Sequence, residues 1–321
     1  MTNKRLNPDL YHGHNKTSDF FEGWYFKITD EASNLSLAFI PGIIKGKEKY
    51  SFIQYINGIE NQFEFFQYPE GDFNASKNRF EISIQNNSFS LEGIHLSLSG
   101  NTGCINVNLD FNSIFKWPDS KINPGSMGFY NYLSFMECYS QVCTLDGTAT
   151  GEININDKKI ILSNAKVYIE KNWGKKFPYS WFWIQSNSFK NQIALTCSIA
   201  HIPFPLGSFR GFLIGLKLND SFIKFTTINR SKLNIIKKEK DIKLIAVNKR
   251  YELTVEPETS REEFLMLHGP TGSNMHPYVK ESITSKVKIT LKSKADKKLI
   301  LEETGAMAGI EYGGNFEKLF F

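Results

Sequence analysis

FFEGWYFKITDEASNLSLAF, residues 20–39, reads as a β-hairpin. Aromatic and β-branched residues suit a pleated surface, the polar DEASN segment supplies the turn, and LSLAF resumes the alternation. Successive strand residues point to opposite faces, so Glu22, Trp24 and Phe26 share one of them. A second stretch, FPYSWFWIQSNSFKNQIALTC (residues 177–197), repeats the pattern. Aligning Trp24 with Trp181 superposes two aromatic strands, each followed by a polar loop and an alternating strand, with one single-residue gap. The repeat predicts two related β domains, residues 1–160 and 161–321, in keeping with a chain of 321 residues.

Strand-like runs extend outward from both hairpins. In the first half they cover 35–40, 51–56, 80–84, 105–111, 152–155 and 159–162. In the second they cover 211–218, 222–228, 251–255, 286–291 and 298–302. Asn57-Gly58, Glu70-Gly71, Asn156-Asp157 and Asn219-Asp220 punctuate them as turns. Many short strands at regular spacing predict an all-β chain of antiparallel sandwiches or barrels. One short helix is expected over 260–267.

Composition excludes several classes. The formal charge is +5, but only 6 of the 38 basic residues are Arg and no basic stripe exists, so nucleic acid is not an expected partner. Cys104, Cys138, Cys143 and Cys197 form no CxxC pair or zinc spacing. His12-x-His14 lacks a third ligand nearby and reads as part of an amino-terminal arm, so no metal is expected. No GxSxG, Walker or dinucleotide-binding pattern occurs; HGPTGSN (268–274) lacks the Lys-Ser/Thr ending of a phosphate loop. No apolar run has the length of a signal peptide core or a membrane helix. A soluble, cytoplasmic protein is the default expectation.

Four strand faces mix rings with carboxylates or amides. They are Glu22–Trp24–Phe26; Glu137–Tyr139–Gln141–Cys143; Tyr168–Glu170–Asn172; and Trp181–Trp183–Gln185–Asn187. A purely structural face would be more uniformly apolar, whereas an apolar ligand chamber with a few placed polar groups has this composition. Tryptophan and tyrosine also need polar partners when buried, so each face taken singly has a structural explanation. Alternation sends Glu170 and Lys171 to opposite faces, so they cannot pair, and Glu170 is available to a site.

FFEGWYFK (20–27), PGSMGFYNYLSFMECY (124–139), YIEKNWGKKFPYSWFWIQSN (168–187) and AMAGIEYGG (306–314) together resemble the tocopherol cyclase family. The resemblance implies two lipocalin-like β-barrels or half-barrels, related to the carotenoid hydratases. It also implies an isomerase-type cyclase that closes a chromanol ring on a prenylated benzoquinol without a redox cofactor. Such chemistry needs a retained proton and electron-rich faces for a developing tertiary cation. Glu170 is the first candidate acid, followed by Glu137 and Glu22, because burial against tryptophan raises a carboxyl pKa. Trp24, Tyr139, Trp173, Trp181 and Trp183 would stabilise the cation. Gln185, Asn187 and His268 complete the expected ligand-binding set. A non-catalytic carrier of an apolar molecule, and a lyase adding water to an alkene, remain alternatives. The reading leaves peripheral membrane contact and oligomeric state open.

Overall fold

A computed structural model describes residues 7–205, 207–238, 241–259, 264–272, 274–315 and 319. The protein is nearly all β, with 68% of the described residues in strands, and forms two large antiparallel sheets, one of them a nearly closed barrel. No helix among the described residues is long and apolar enough to cross a membrane.

The first sheet contains β1 (Phe20–Asp30), β2 (Leu35–Lys45), β3 (Lys49–Asn57), β4 (Gln62–Pro69), β5 (Phe73–Ala75) and β6 (Glu81–Ile84). It continues with β7 (Asn87–Ser90), β8 (Gly93–Gly100), β9 (Gly103–Phe115), β10 (Cys138–Thr144), β11 (Asp146–Ile155) and β12 (Lys158–Gly174). The second contains β13 (Ser180–Ser186), β14 (Ile193–Phe204), β15 (Gly207–Leu218), β16 (Ser221–Thr226) and β17 (Lys232–Lys237). Its remaining strands are β18 (Ile242–Val247), β19 (Tyr251–Glu258), β20 (Leu265–Pro270), β21 (Met275–Ser293) and β22 (Leu299–Gly314).

The two paths correspond. The first runs β4-β3-β2-β1-β12-β11-β9-β8-β7-β6-β5 and the second β16-β15-β14-β13-β22-β21-β19-β18-β17. In each, an aromatic strand opens a four-strand meander and pairs on its other edge with the last long strand. The side-chain phases nevertheless differ from the expected superposition. Trp24 lies in the core of its own unit, whereas in β13 it is Phe182 and Ile184 that enter the core, and Trp181 takes the opposite face.

The chain divides into a first unit of Met1–Phe177 with Leu267–Pro277, and a second of Pro178–Met266 with Tyr278–Phe321. Residue 160, the expected boundary, falls inside β12, a 17-residue strand paired on one edge with β1 and on the other with β10 and β11. The expected helix over 260–267 is not formed where it is described: residues 260–263 lie outside the described set, and Leu265 begins β20.

Alternation explains most of the first sheet. In β9, Ile105, Val107, Leu109 and Phe111 are buried while Asn106, Asn108, Asp110 and Asn112 are exposed. The turns form as their residues predict: Asn156 and Asn219 adopt φ of 54° and 50°, the left-handed region asparagine tolerates. Where β11 slips register against β12, Gly151 sits at φ 135°, and a Cβ there would meet the Asn108 carbonyl oxygen at 2.1 Å. Only glycine fits this bulge.

Candidate functional site

The core of the first unit is dominated by rings. Trp24 packs against Phe73 and Phe80 with centroids 6.0 and 6.2 Å apart, and Phe26 against Phe89 at 5.4 Å. Thus the Glu22–Trp24–Phe26 face belongs to a packed aromatic core. At its upper end, Glu22 and Lys171 are both fully buried and form an ion pair. Register explains the meeting: Glu22 lies opposite Trp173 and Trp24 opposite Lys171. Lys171 Nζ also donates to the Leu10 carbonyl (2.8 Å) and lies 5.2 and 4.9 Å from the Trp24 and Trp173 ring centroids. The His12 backbone N–H donates to Glu22 Oε2 at 2.8 Å, and its Nδ1 stands 3.3 Å from Glu22 Oε1. The His12 ring stacks on Trp173 at 4.1 Å, and Tyr139 stacks on Trp173 at 5.3 Å.

This arrangement corrects the expectation of a neutral Glu22. Burial alone would raise its pKa, but Lys171 and His12 outweigh that effect and hold it below the ordinary carboxylate value. Glu22 is therefore an ionised anchor. It also corrects the view of His12 as part of a loose arm. Residues 9–12 are pinned by Lys171, by Gln141 Nε2 donating to Asp9 Oδ1 (2.9 Å), and by a Lys116–Asp9 ion pair. Burial pushes the Tyr11 phenol up, with Glu22 and Glu70 adding to the effect.

The other expected acids lie elsewhere. Glu137 precedes β10 and does not share its strand phase; its half-exposed carboxylate pairs with Lys176 at 3.3 Å. Tyr139 and Gln141 of β10 do align with Trp173 and Lys171. Glu170 lies on the face of β12 opposite the core residues Val167, Ile169 and Trp173. It is 9% exposed, accepts a hydrogen bond from the Tyr168 hydroxyl at 2.6 Å, and lies 3.4 Å from the donating Asn172 Nδ2.

In the second unit, Trp181, Trp183 and Gln185 lie on the face of β13 opposite core residues Phe182 and Ile184, and all three are buried. Trp181 Nε1 donates to Glu311, and Gln185 Nε2 donates to Asn187 Oδ1 at 3.3 Å. Glu281, 1% exposed, is directly opposite Glu311 across β21 and β22. The structure thus joins Trp181, Trp183, Gln185 and Asn187, and adds Glu281 and Glu311. Glu170 in the first unit and Trp181, Trp183 and Gln185 in the second each lie on a sheet face turned away from that unit's own core, whereas Trp24 and Trp173 belong to the first core; the sequence had suggested a chamber inside each barrel. His268 is held through its backbone: its N–H donates to Gln54 Oε1 (2.9 Å), its carbonyl accepts from Gln54 Nε2 (3.1 Å), and its ring stacks on Phe65.

Sequence reasoning gave no site role to Lys171, His12, Asp9, Glu281 and Glu311, and placed Tyr168 only on the face of Glu170. One signal was present: alternation places Lys171 with Val167, Ile169 and Trp173, and a lysine on an apolar face requires a buried counter-ion.

Comparison with known proteins agrees with this architecture. A chloroplastic tocopherol cyclase of Zea mays and the one assigned in Oryza sativa subsp. japonica are each 24% identical to the chain, covering 95% of it and 77% of the relative. The crystal structure of a Nitrosomonas europaea protein designated AttH shares the fold with a TM-score of 0.52 at 11% identity, covering 92% of both chains. The tocopherol cyclase-like family model matches residues 89–314. The chain belongs to the tocopherol cyclase-like family.

Proposed function

We propose that the protein is an intramolecular cyclase that forms a chromanol-type ring from a prenylated benzoquinol or related terpenoid, with Glu170 as proton donor. The environment of Glu170 carries this reading. Glu22 is committed to Lys171, and Glu137 pairs with Lys176 at a half-exposed bend. Glu170 is sheltered and oriented by a phenol and an amide.

In the reaction, the protonated Glu170 carboxyl gives its proton to the less substituted alkene carbon. Positive charge develops on the tertiary carbon, where each aromatic ring face presented to it would contribute roughly 0.5–2 kcal/mol. The quinol oxygen adds to that carbon and loses its hydrogen as a proton, which restores the carboxyl. No electron is transferred and product is an isomer of substrate.

The test is chromanol formation from a prenylated benzoquinol by the purified chain. General acid catalysis contributes about 10²–10⁴-fold. Glu170→Gln is expected to lose activity on that scale and Tyr168→Phe less. Undiminished turnover by Glu170→Gln overturns the assignment. Absence of turnover in the unaltered chain, with an apolar molecule recovered by solvent extraction, identifies a carrier instead.

A further inference from the structure

Residues 116–137 connect β9 to β10 within the first unit. Only one short 3₁₀ turn, Gly128–Tyr132, interrupts their irregular path. An irregular loop of this length inside a compact unit is uncommon and is usually functional. It holds its shape from within: Asn131 Nδ2 donates to the Pro124 carbonyl (2.6 Å), Ser126 N–H to Gln141 Oε1 (2.9 Å), and the Tyr132 hydroxyl to the Lys121 carbonyl. Trp117 and Met136 are buried, which anchors both ends.

Against that anchoring, Ile122 is 77% exposed, Phe129 42% and Phe135 48%. Three of the eleven large hydrophobic residues exposed in the described chain therefore fall within 14 positions. The Tyr132–Lys121 bond brings Ile122 beside the turn that carries Phe129. The loop displays these side chains on a well-tied frame, as an apolar contact surface does.

The charges around it carry a small positive excess. Lys116, Lys121, Lys175 and Lys176 are on or beside the loop; Lys116 pairs with Asp9 and Lys176 with Glu137, which leaves Lys121 and Lys175 against Asp119. The same end of the sheet continues to the β2–β3 turn. Cys138 pairs with Gly174, Gly174 with Phe21, and Phe21 with Ile44, which places exposed Lys47 and Lys49, with Glu48, on the same rim. Apolar side chains surrounded by a lysine-rich rim match an anionic bilayer surface, where rings and aliphatic chains enter the headgroup boundary and lysines meet lipid phosphates.

We infer that the 116–137 loop is a membrane-docking surface, which seats this end of the first unit on an anionic lipid bilayer. The occupant is the lipid surface itself. The inference stands on exposure and charge and does not depend on the proposed reaction.

The experiment is co-sedimentation of the full chain with sucrose-loaded vesicles of phosphatidylcholine alone or with about 30% phosphatidylglycerol. Binding to the anionic vesicles is expected, with weakening at high salt. The triple variant Ile122→Ser, Phe129→Ser, Phe135→Ser is expected to lose at least about tenfold in partitioning, with an unchanged thermal unfolding curve. Lys121→Glu with Lys175→Glu should reduce binding to anionic vesicles while leaving the apolar triad intact. No sedimentation of the unaltered chain, or equal sedimentation of the triple variant, overturns the inference. Neither readout involves turnover, so failure of the cyclase reading leaves the result interpretable.

Discussion

Lys171→Met tests the energetics of the buried cluster most directly. The substitution keeps an unbranched side chain of similar length but removes the ammonium group. Glu22, fully buried, then loses its lysine counter-ion, and the Leu10 carbonyl loses its 2.8 Å donor. Removing one partner of a buried ion pair costs about 3–5 kcal/mol, and an orphaned carbonyl adds about 1–3 kcal/mol. A loss of roughly 4–8 kcal/mol is therefore expected in the first unit. For a unit of about 190 residues, where 1 kcal/mol corresponds to roughly 2–4 °C, its melting temperature should fall by about 8–32 °C. Scanning calorimetry measures the change, and hydrogen exchange at β1 and β12 assigns the transition to this unit. The double variant Lys171→Met, Glu22→Gln removes both charges and should regain more than half of the loss. A single variant within about 1 kcal/mol of the parent, well under the range for a broken buried pair, would refute the argument. So would a double variant as unstable as the single one.

Glu22 also sets a pH dependence. Its native pKa lies below the ordinary value of 4.5, so its stabilising contribution is complete above that value and is lost as pH falls through the depressed native value. Chemical denaturation between about pH 5 and 2, the acid window for a depressed carboxylate, should show a steeper decline for the parent than for Glu22→Gln. Gly125, at φ 62°, has Gln141 Oε1 only 2.2 Å from where a Cβ would stand; Gly125→Ala should cost about 2 kcal/mol by denaturant titration. Burial pushes the Cys143 and Cys197 thiols up, and Cys138 likewise, while Cys104 is exposed. Thiol titration of the native protein should therefore show one fast group, Cys104, and the other three only after denaturation.

The strands were legible because period-two alternation survives wherever one face is wetter, as in β9. It fails to identify the inward face where both are covered. Every residue of β13 is buried, and in β1 only Gly23 and Asp30 are not. Trp181 and Phe182 then look equivalent from sequence, and the Trp24–Trp181 alignment chose the wrong phase. The same ambiguity affected Glu170 and Lys171: alternation separated them correctly but could not say which one entered the core. His12 and Asp9 were invisible for another reason. They belong to a segment without periodicity, whose partners Lys171 and Gln141 lie 159 and 132 positions away. Family motifs located the aromatic and acidic positions without specifying their faces.

The first unit is not contiguous in the chain. Residues Leu267–Pro277 complete it, through the paired Gln54–His268 bonds, the His268–Phe65 stack and the Met275 N–H donating to the Tyr50 hydroxyl. During synthesis those eleven residues emerge about 90 positions after Phe177, a delay of roughly 5–18 s at about 5–20 residues per second. Until then the Gln54 amide, 2% exposed in the finished protein, has no backbone to grip. The amino-terminal half must wait, incomplete, on the ribosome, and a gene fragment ending at Phe177 would yield a sheet with that seam permanently open.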